Sequence, residues 1–186
     1  MRKYLSIFIL FLSMVTFNIS GFSQNGIGGN NLLSGLSPET FWQYFNEITK
    51  IPRCSGNEEE IRQWVVEQAE SLGLDVFVDE YGNVKIEKSA SKGYEDHEGV
   101  VLQGHLDMVC SPADMTFPLQ LEINGGWLTA NNTTLGADNG VGIALALTVL
   151  ADSSIKHPPL EVLFTVEEET GLDGAKNLRE DFIRYR

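Results

Sequence analysis

The sequence has 186 residues, 42% of them hydrophobic and 21% charged, the composition of one ordinary soluble domain with a real core, which argues against a disordered chain. Its 13 Lys and Arg against 26 Asp and Glu leave a net charge of -13. That balance repels phosphate backbones and anionic lipid surfaces, so no nucleic-acid partner is expected.

Arg2 and Lys3 precede the apolar run "LSIFILFLSMVTF", and the small-residue stretch "SGFSQ" follows it. This is the order of a secretory signal peptide, and the run falls short of the roughly 20 residues of a membrane span. Residues 1–23 are therefore expected to direct export and to be cleaved after Ser23, leaving no stable membrane association. Residues 24–36, "QNGIGGNNLLSGL", read as a linker rich in Gly and Asn. Their "GIGGNN" only imitates a dinucleotide fingerprint, because it follows no strand and lacks the last glycine.

Residues 37–186 carry the domain. A helix is expected from Ser37 as N-cap and Pro38 as its first residue, with Phe41, Trp42, Phe45 and Ile48 on the core side. A second helix follows a capping box of Ser55 and Glu58, with Ile61, Val65, Ala69 and Leu72 on one face and Gly73 as its stop. "LDVFVDEYGNVKIEK" reads as a hairpin turning at Gly82 and Asn83. "EGVVLQGHLDMV" reads as a strand buried on both faces, "NGVGIALALTVLAD" as an apolar helix, and "PLEVLFTVEEE" as a second buried strand ending in acid. Strands alternating with helices predict an α/β domain with a mostly parallel central sheet flanked by helices. Cys54 and Cys110 could pair, but spacing alone leaves their state open.

His105 and Asp107 stand two apart at a strand end and so share a face, which suits an imidazole held by a carboxylate. Alone, such a histidine is more often a hydrogen-bonded core residue, Asp138 before Asn139 and Gly140 is ordinary turn chemistry, and a Glu run is a solvated face. All three groups, however, fall where strands end or helices begin, the edge at which open α/β sheets bind ligands. Glu167, Glu168 and Glu169 follow directly on the apolar "LFTV". Carboxylates converging there would repel one another, and a cation would relieve the repulsion.

"IPRCSGNEEEIRQW", "YGNV", "LQGHLDMV", "TTLGADNGVGIALAL" and "FTVEEETGLDGA", in this order between Leu33 and Leu178, resemble the amino-terminal part of aminoacyl-histidine dipeptidases. These carnosinase-like enzymes are co-catalytic zinc exopeptidases related to aminoacylase and carboxypeptidase G. The resemblance implies two zinc ions as cofactors and hydrolysis of Xaa-His dipeptides. It implies that His105 binds one metal, that Asp107 orients His105, and that Asp138 bridges both metals beside a cis peptide to Asn139. It further implies that Glu168 is the general base toward the attacking water and that Glu169 binds the second metal. Glu167 stands where relatives commonly have aspartate and receives no role. Asn132 stands where they usually have glycine, and the loop between Val109 and Trp127 is shorter than theirs.

Family members continue past the position of Arg186 with further metal ligands and a lid or dimerisation domain. The sequence accordingly reads as the amino-terminal portion of such an enzyme, expected to be inactive as an isolated chain. An aminoacylase-like or broader exopeptidase, and a non-catalytic metal- or peptide-binding remnant, stand as alternatives.

Overall fold

A computed structural model describes residues 32–185. The expected leader, residues 1–23, lies outside the described residues, as does most of the expected linker. The end of that linker is no spacer, since Leu33 is buried and Leu36 packs against the core.

Helix α1 (Glu39–Ile48) and helix α2 (Glu59–Ser71) open the chain. Phe41, Phe45 and Ile48 of α1 and Ile61, Val65 and Ala69 of α2 are buried at helical spacing. Both helices begin slightly later than the sequence suggests. Pro38, not Ser37, is the N-cap of α1, and Glu58 stands at the N-cap of α2 without a side-chain bond to the helix. The capping box fails because both of its side chains are engaged elsewhere: the Ser55 hydroxyl donates to Asp107, and Glu58 Oε1 accepts from the backbone N–H groups of Gly56 and Glu167. Leu72 lies past the end of α2 and is 37% exposed.

Strands β1 (Asp75–Val78) and β2 (Val84–Lys88) form the expected hairpin, with Gly82 at a φ of 94° in its turn. Strand β3 (Val100–His105) leads to a second, two-stranded hairpin, β4 (Leu121–Asn124) and β5 (Trp127–Ala130). Helix α3 (Ala137–Ala151) follows, then β6 (Leu160–Thr165) and the short helices α4 (Glu168–Gly171) and α5 (Asp173–Lys176).

The main sheet runs β1-β2-β6-β3. Only the β3–β6 pair is parallel, while β1–β2 and β2–β6 are antiparallel, so the sheet is mixed rather than mostly parallel. The cause is the hairpin: β1 and β2 reverse through a tight turn, whereas β3 reaches β6 by way of α3, a crossover that parallel strands require. Strand β6 is central and buried at every residue, but β3 is an edge strand, and only its carboxyl end at Gly104 and His105 is buried.

Val84, Ile86, Val162 and Phe164 point to the helical face, where they join Ile143, Leu147, Ile61 and Phe45 in one core. The opposite face carries Lys85, Glu87 and Glu161. Residues near the carboxyl end cross it: Phe182 packs beside Lys85, and the backbone N–H of Arg184 donates to Glu161 Oε2. Among the described residues, no helix is long and apolar enough to cross a membrane.

Candidate metal centre

The carboxyl ends of β3 and β6 lie side by side, with His105 opposite Thr165 in the parallel ladder. His105 closes β3, and the acid run begins two residues beyond Thr165. The amino end of α3 reaches the same edge, bringing Asp138 to His105. The structure thus gathers His105, Asp107, Asp138, Glu168 and Glu169 at one place.

His105 presents both ring nitrogens to carboxylates. Nδ1 lies 3.2 Å from Asp107 Oδ1 and Nε2 lies 3.0 Å from Asp138 Oδ1, with Glu168 Oε2 at 3.9 Å. His105, Glu168 and Glu169 each offer a ligand atom, all within 4.8 Å of one another. Burial lowers the His105 pKa, but hydrogen bonds to Asp107 and Asp138 and the charges of Asp107 and Glu168 outweigh it, leaving a net rise. Burial and the Asp138 charge push the Glu169 carboxyl up, opposed by His105 and reinforced by Glu168 and Asp107.

Asp107 is fully buried, with 0% exposure. Its Oδ1 accepts from His105 and from the Glu168 backbone N–H, and its Oδ2 accepts from the Ser55 hydroxyl and the Glu169 backbone N–H. Burial alone would raise its pKa, but the four hydrogen bonds hold the group well below the usual carboxylate range. Asp107 therefore stays ionised and accepts the Nδ1 proton of His105. With Nδ1–H so engaged, Nε2 faces Asp138 and Glu168, donating toward Asp138 when it carries a proton and offering its lone pair when a cation takes that proton's place. This arrangement of imidazole and carboxylate donors fits a divalent cation, which the Nε2 lone pair and the carboxylate oxygens would ligate together.

The supports were harder to find from sequence. Arg53 is 1% exposed, and its guanidinium donates to the carbonyls of Leu106 at 3.2 Å, Asp107 at 2.9 Å and Gly136. Burial pushes its pKa down to about 10, against the raising charges of Asp107, Asp138 and Glu169. Asn83, which reads only as a hairpin residue, is fully buried; its amide donates to Gly174 O and Asp79 Oδ2, and its Oδ1 accepts from Val166 N–H just ahead of the acid run. Cys54 and Cys110 form a disulfide whose Cα atoms are 5.4 Å apart. Each support lies in or beside a quoted motif, but partners far away in the chain, several of them backbone groups, leave no pattern in a sequence.

Glu167, at the start of the acid run, adopts a left-handed φ of 51°, and Asn132, after β5, one of 54°, a region glycine enters freely and asparagine more readily than most residues. The Asp138–Asn139 peptide is cis.

Residues 101–186 match the peptidase family M20/M25/M40. The chain is 45% identical over 158 residues to the cytosol non-specific dipeptidase of Escherichia coli strain K12, covering 82% of this chain and 33% of that protein. The chain is homologous to the M20/M25/M40 peptidases. Among solved structures, the aminoacylhistidine dipeptidase of Vibrio alginolyticus aligns with a TM-score of 0.77 and 46% identity, covering 82% of this chain and 32% of the other. A tripeptidase of Staphylococcus aureus aligns with a TM-score of 0.68 and 28% identity, over 78% of this chain and 41% of the other. This M20/M25/M40 homologue spans about a third of the length of its two dipeptidase relatives.

Proposed function

We propose that this chain carries metal-binding and proton-transfer residues of a zinc-dependent dipeptidase acting on Xaa-His dipeptides. The observation that carries the reading is the gathering of His105, Glu168 and Glu169 within 4.8 Å, with Asp138 at 3.0 Å from the free face of His105. The relatives described as non-specific and aminoacylhistidine dipeptidases support the substrate class. In this reading His105, Asp138 and Glu169 would hold two zinc ions. Such a pair supplies polarisation of the scissile carbonyl and a lowered pKa for the attacking water.

The chain's own residues do the rest. Asp107 accepts the Nδ1 proton of His105 and so fixes Nε2 as the ligand atom. Glu168, whose backbone N–H is tied to Asp107, takes a proton from the water and returns it to the leaving amine. Variants separate these roles. Chelator competition is expected to find zinc lost from His105→Ala and Glu169→Gln but retained by Glu168→Gln. Equal zinc affinity in wild type and His105→Ala would overturn the reading.

We also propose export, through cleavage of residues 1–23. The Cys54–Cys110 disulfide supports an oxidising destination, since such bonds are rare where glutathione keeps thiols reduced. Amino-terminal sequencing of the expressed protein is expected to begin near Gln24. Recovery of only the intact Met1 form in the cytosol, with both thiols free, would exclude it.

A further inference from the structure

The two segments that carry His105 and Asp138 come from distant parts of the chain and meet at a sheet edge where β3 has no outer neighbour among the described residues. Distances between ligands at such an edge are set by whatever ties the segments together. A direct tie runs from Arg53. Its Nη1 donates to Leu106 O and Asp107 O on the strand-end segment, and its Nη2 donates to Gly136 O, two residues before Asp138. One planar fork therefore spans both ligand-bearing segments.

The surroundings are shaped for that fork. A Cβ placed on Gly136 or Gly140 would collide with Arg53 Nη2, so the turn into α3 and the first turn of that helix leave room for it. Gly136 also has a φ of 65°, a conformation in which side chains are strained. The base of the fork is fixed as well. Met108 N–H donates to Arg53 O at 3.0 Å, Ser55 N–H donates to Met108 O, and the next residue, Cys54, is disulfide-bonded to Cys110. Among the described residues, the buried guanidinium makes its hydrogen bonds to backbone carbonyls and none to a side-chain carboxylate.

We propose that Arg53 is a positioning residue, which fixes the separation of His105 and Asp138 by tying Leu106, Asp107 and Gly136 to one guanidinium. Its hydrogen bonds go to backbone carbonyls beside the proposed ligands rather than to the ligand side chains. The inference rests on the reading of these residues as metal ligands. Lysine keeps the charge but has a single ammonium, which cannot reproduce a planar fork across two segments.

The test compares the 186-residue chain with R53K by three measurements: thermal melting, zinc affinity by chelator competition, and the visible absorption of bound Co²⁺, which reports coordination geometry. Losing a residue that orients ligands is expected to weaken zinc by about 10 to 100-fold and to alter the Co²⁺ bands at temperatures well below melting. An R53K chain that melts earlier but binds zinc and Co²⁺ as wild type does would overturn the proposal, since Arg53 would then serve only the fold. If R53K does not fold, the wild-type chain decides. On zinc addition the Arg53 guanidinium resonances in a 15N spectrum must shift, and unmoved resonances overturn the proposal. A wild-type chain that binds no zinc sinks the metal reading and this inference with it, whereas zinc binding unchanged in a folded R53K sinks the inference alone.

Discussion

Each side chain at the site is held by partners chosen for geometry rather than for charge alone. Asp107 is the centre of this scheme, because its two oxygens collect His105, Ser55 and the backbone of Glu168 and Glu169 and thereby join β3, the 53–55 segment and α4. Asn83 plays the matching part for the acid run, clamping Val166 N–H and Gly174 O on either side of it. Asn83→Ala leaves these buried groups without partners, and unsatisfied buried polar groups cost about 1–3 kcal/mol each. Urea denaturation is expected to give a midpoint lowered accordingly, and a midpoint equal to wild type would show that water replaces the amide. The placement of His105, Asp107, Asp138 and the acid run at element ends was legible from the residues, whereas the choice of Glu168 and Glu169 over Glu167 came from the family resemblance. Arg53, Ser55 and Asn83 were not legible as supports, since, apart from Asp79 beside Asn83, their partners lie 52 or more residues away or are backbone carbonyls and amides, which every residue possesses.

At the level of elements, periodicity located α1, α2, α3, β1, β2 and β6. It erred where burial depends on neighbours. The apolar run of β3 suggested a strand covered on both sides, yet Val100 is 43% exposed because β3 is an edge. The β4–β5 hairpin lies outside the elements expected from the sequence, although "LEINGGWLTA" holds a usable signal: two short alternating runs around Gly125 and Gly126, both at positive φ. The element that ties the site to the rest of the chain is the disulfide, which joins Cys54 before α2 to Cys110 after β3 across a separation of 56 residues. Closing a loop of that size restricts the unfolded chain, and removing a native disulfide typically costs about 2–5 kcal/mol. The double variant Cys54→Ser, Cys110→Ser is expected to unfold at correspondingly lower denaturant. Reduction of the wild type should reproduce that loss, and two superimposable unfolding curves would show that the bridge adds nothing.

For the molecule as a whole, the arrangement concentrates negative charge on one edge of an already acidic chain. Asp138, Glu168 and Glu169 meet there, and the only imidazole among them is His105. Folding the chain without a cation brings these carboxylates together, and the Glu169 carboxyl is pushed up first by burial and then by the Asp138 charge. A divalent ion that binds the folded edge and not the unfolded chain converts this repulsion into stability, by about 2.7 kcal/mol when its concentration is one hundred times its dissociation constant. For a chain of this size that gain corresponds to a rise in melting temperature of roughly 5–10 °C. Zinc is expected to produce the rise, EDTA to reverse it, and His105→Ala to abolish it. Catalysis asks more of the same residues. Among the described residues, the proposed ligands for two ions are His105, Asp138 and Glu169, fewer than the three protein ligands that each catalytic zinc ordinarily has. The 186-residue chain by itself is therefore expected to bind zinc without measurable turnover of Xaa-His dipeptides. Turnover at saturating zinc that disappears in Glu168→Gln would refute that expectation and identify Glu168 as the base in the same experiment.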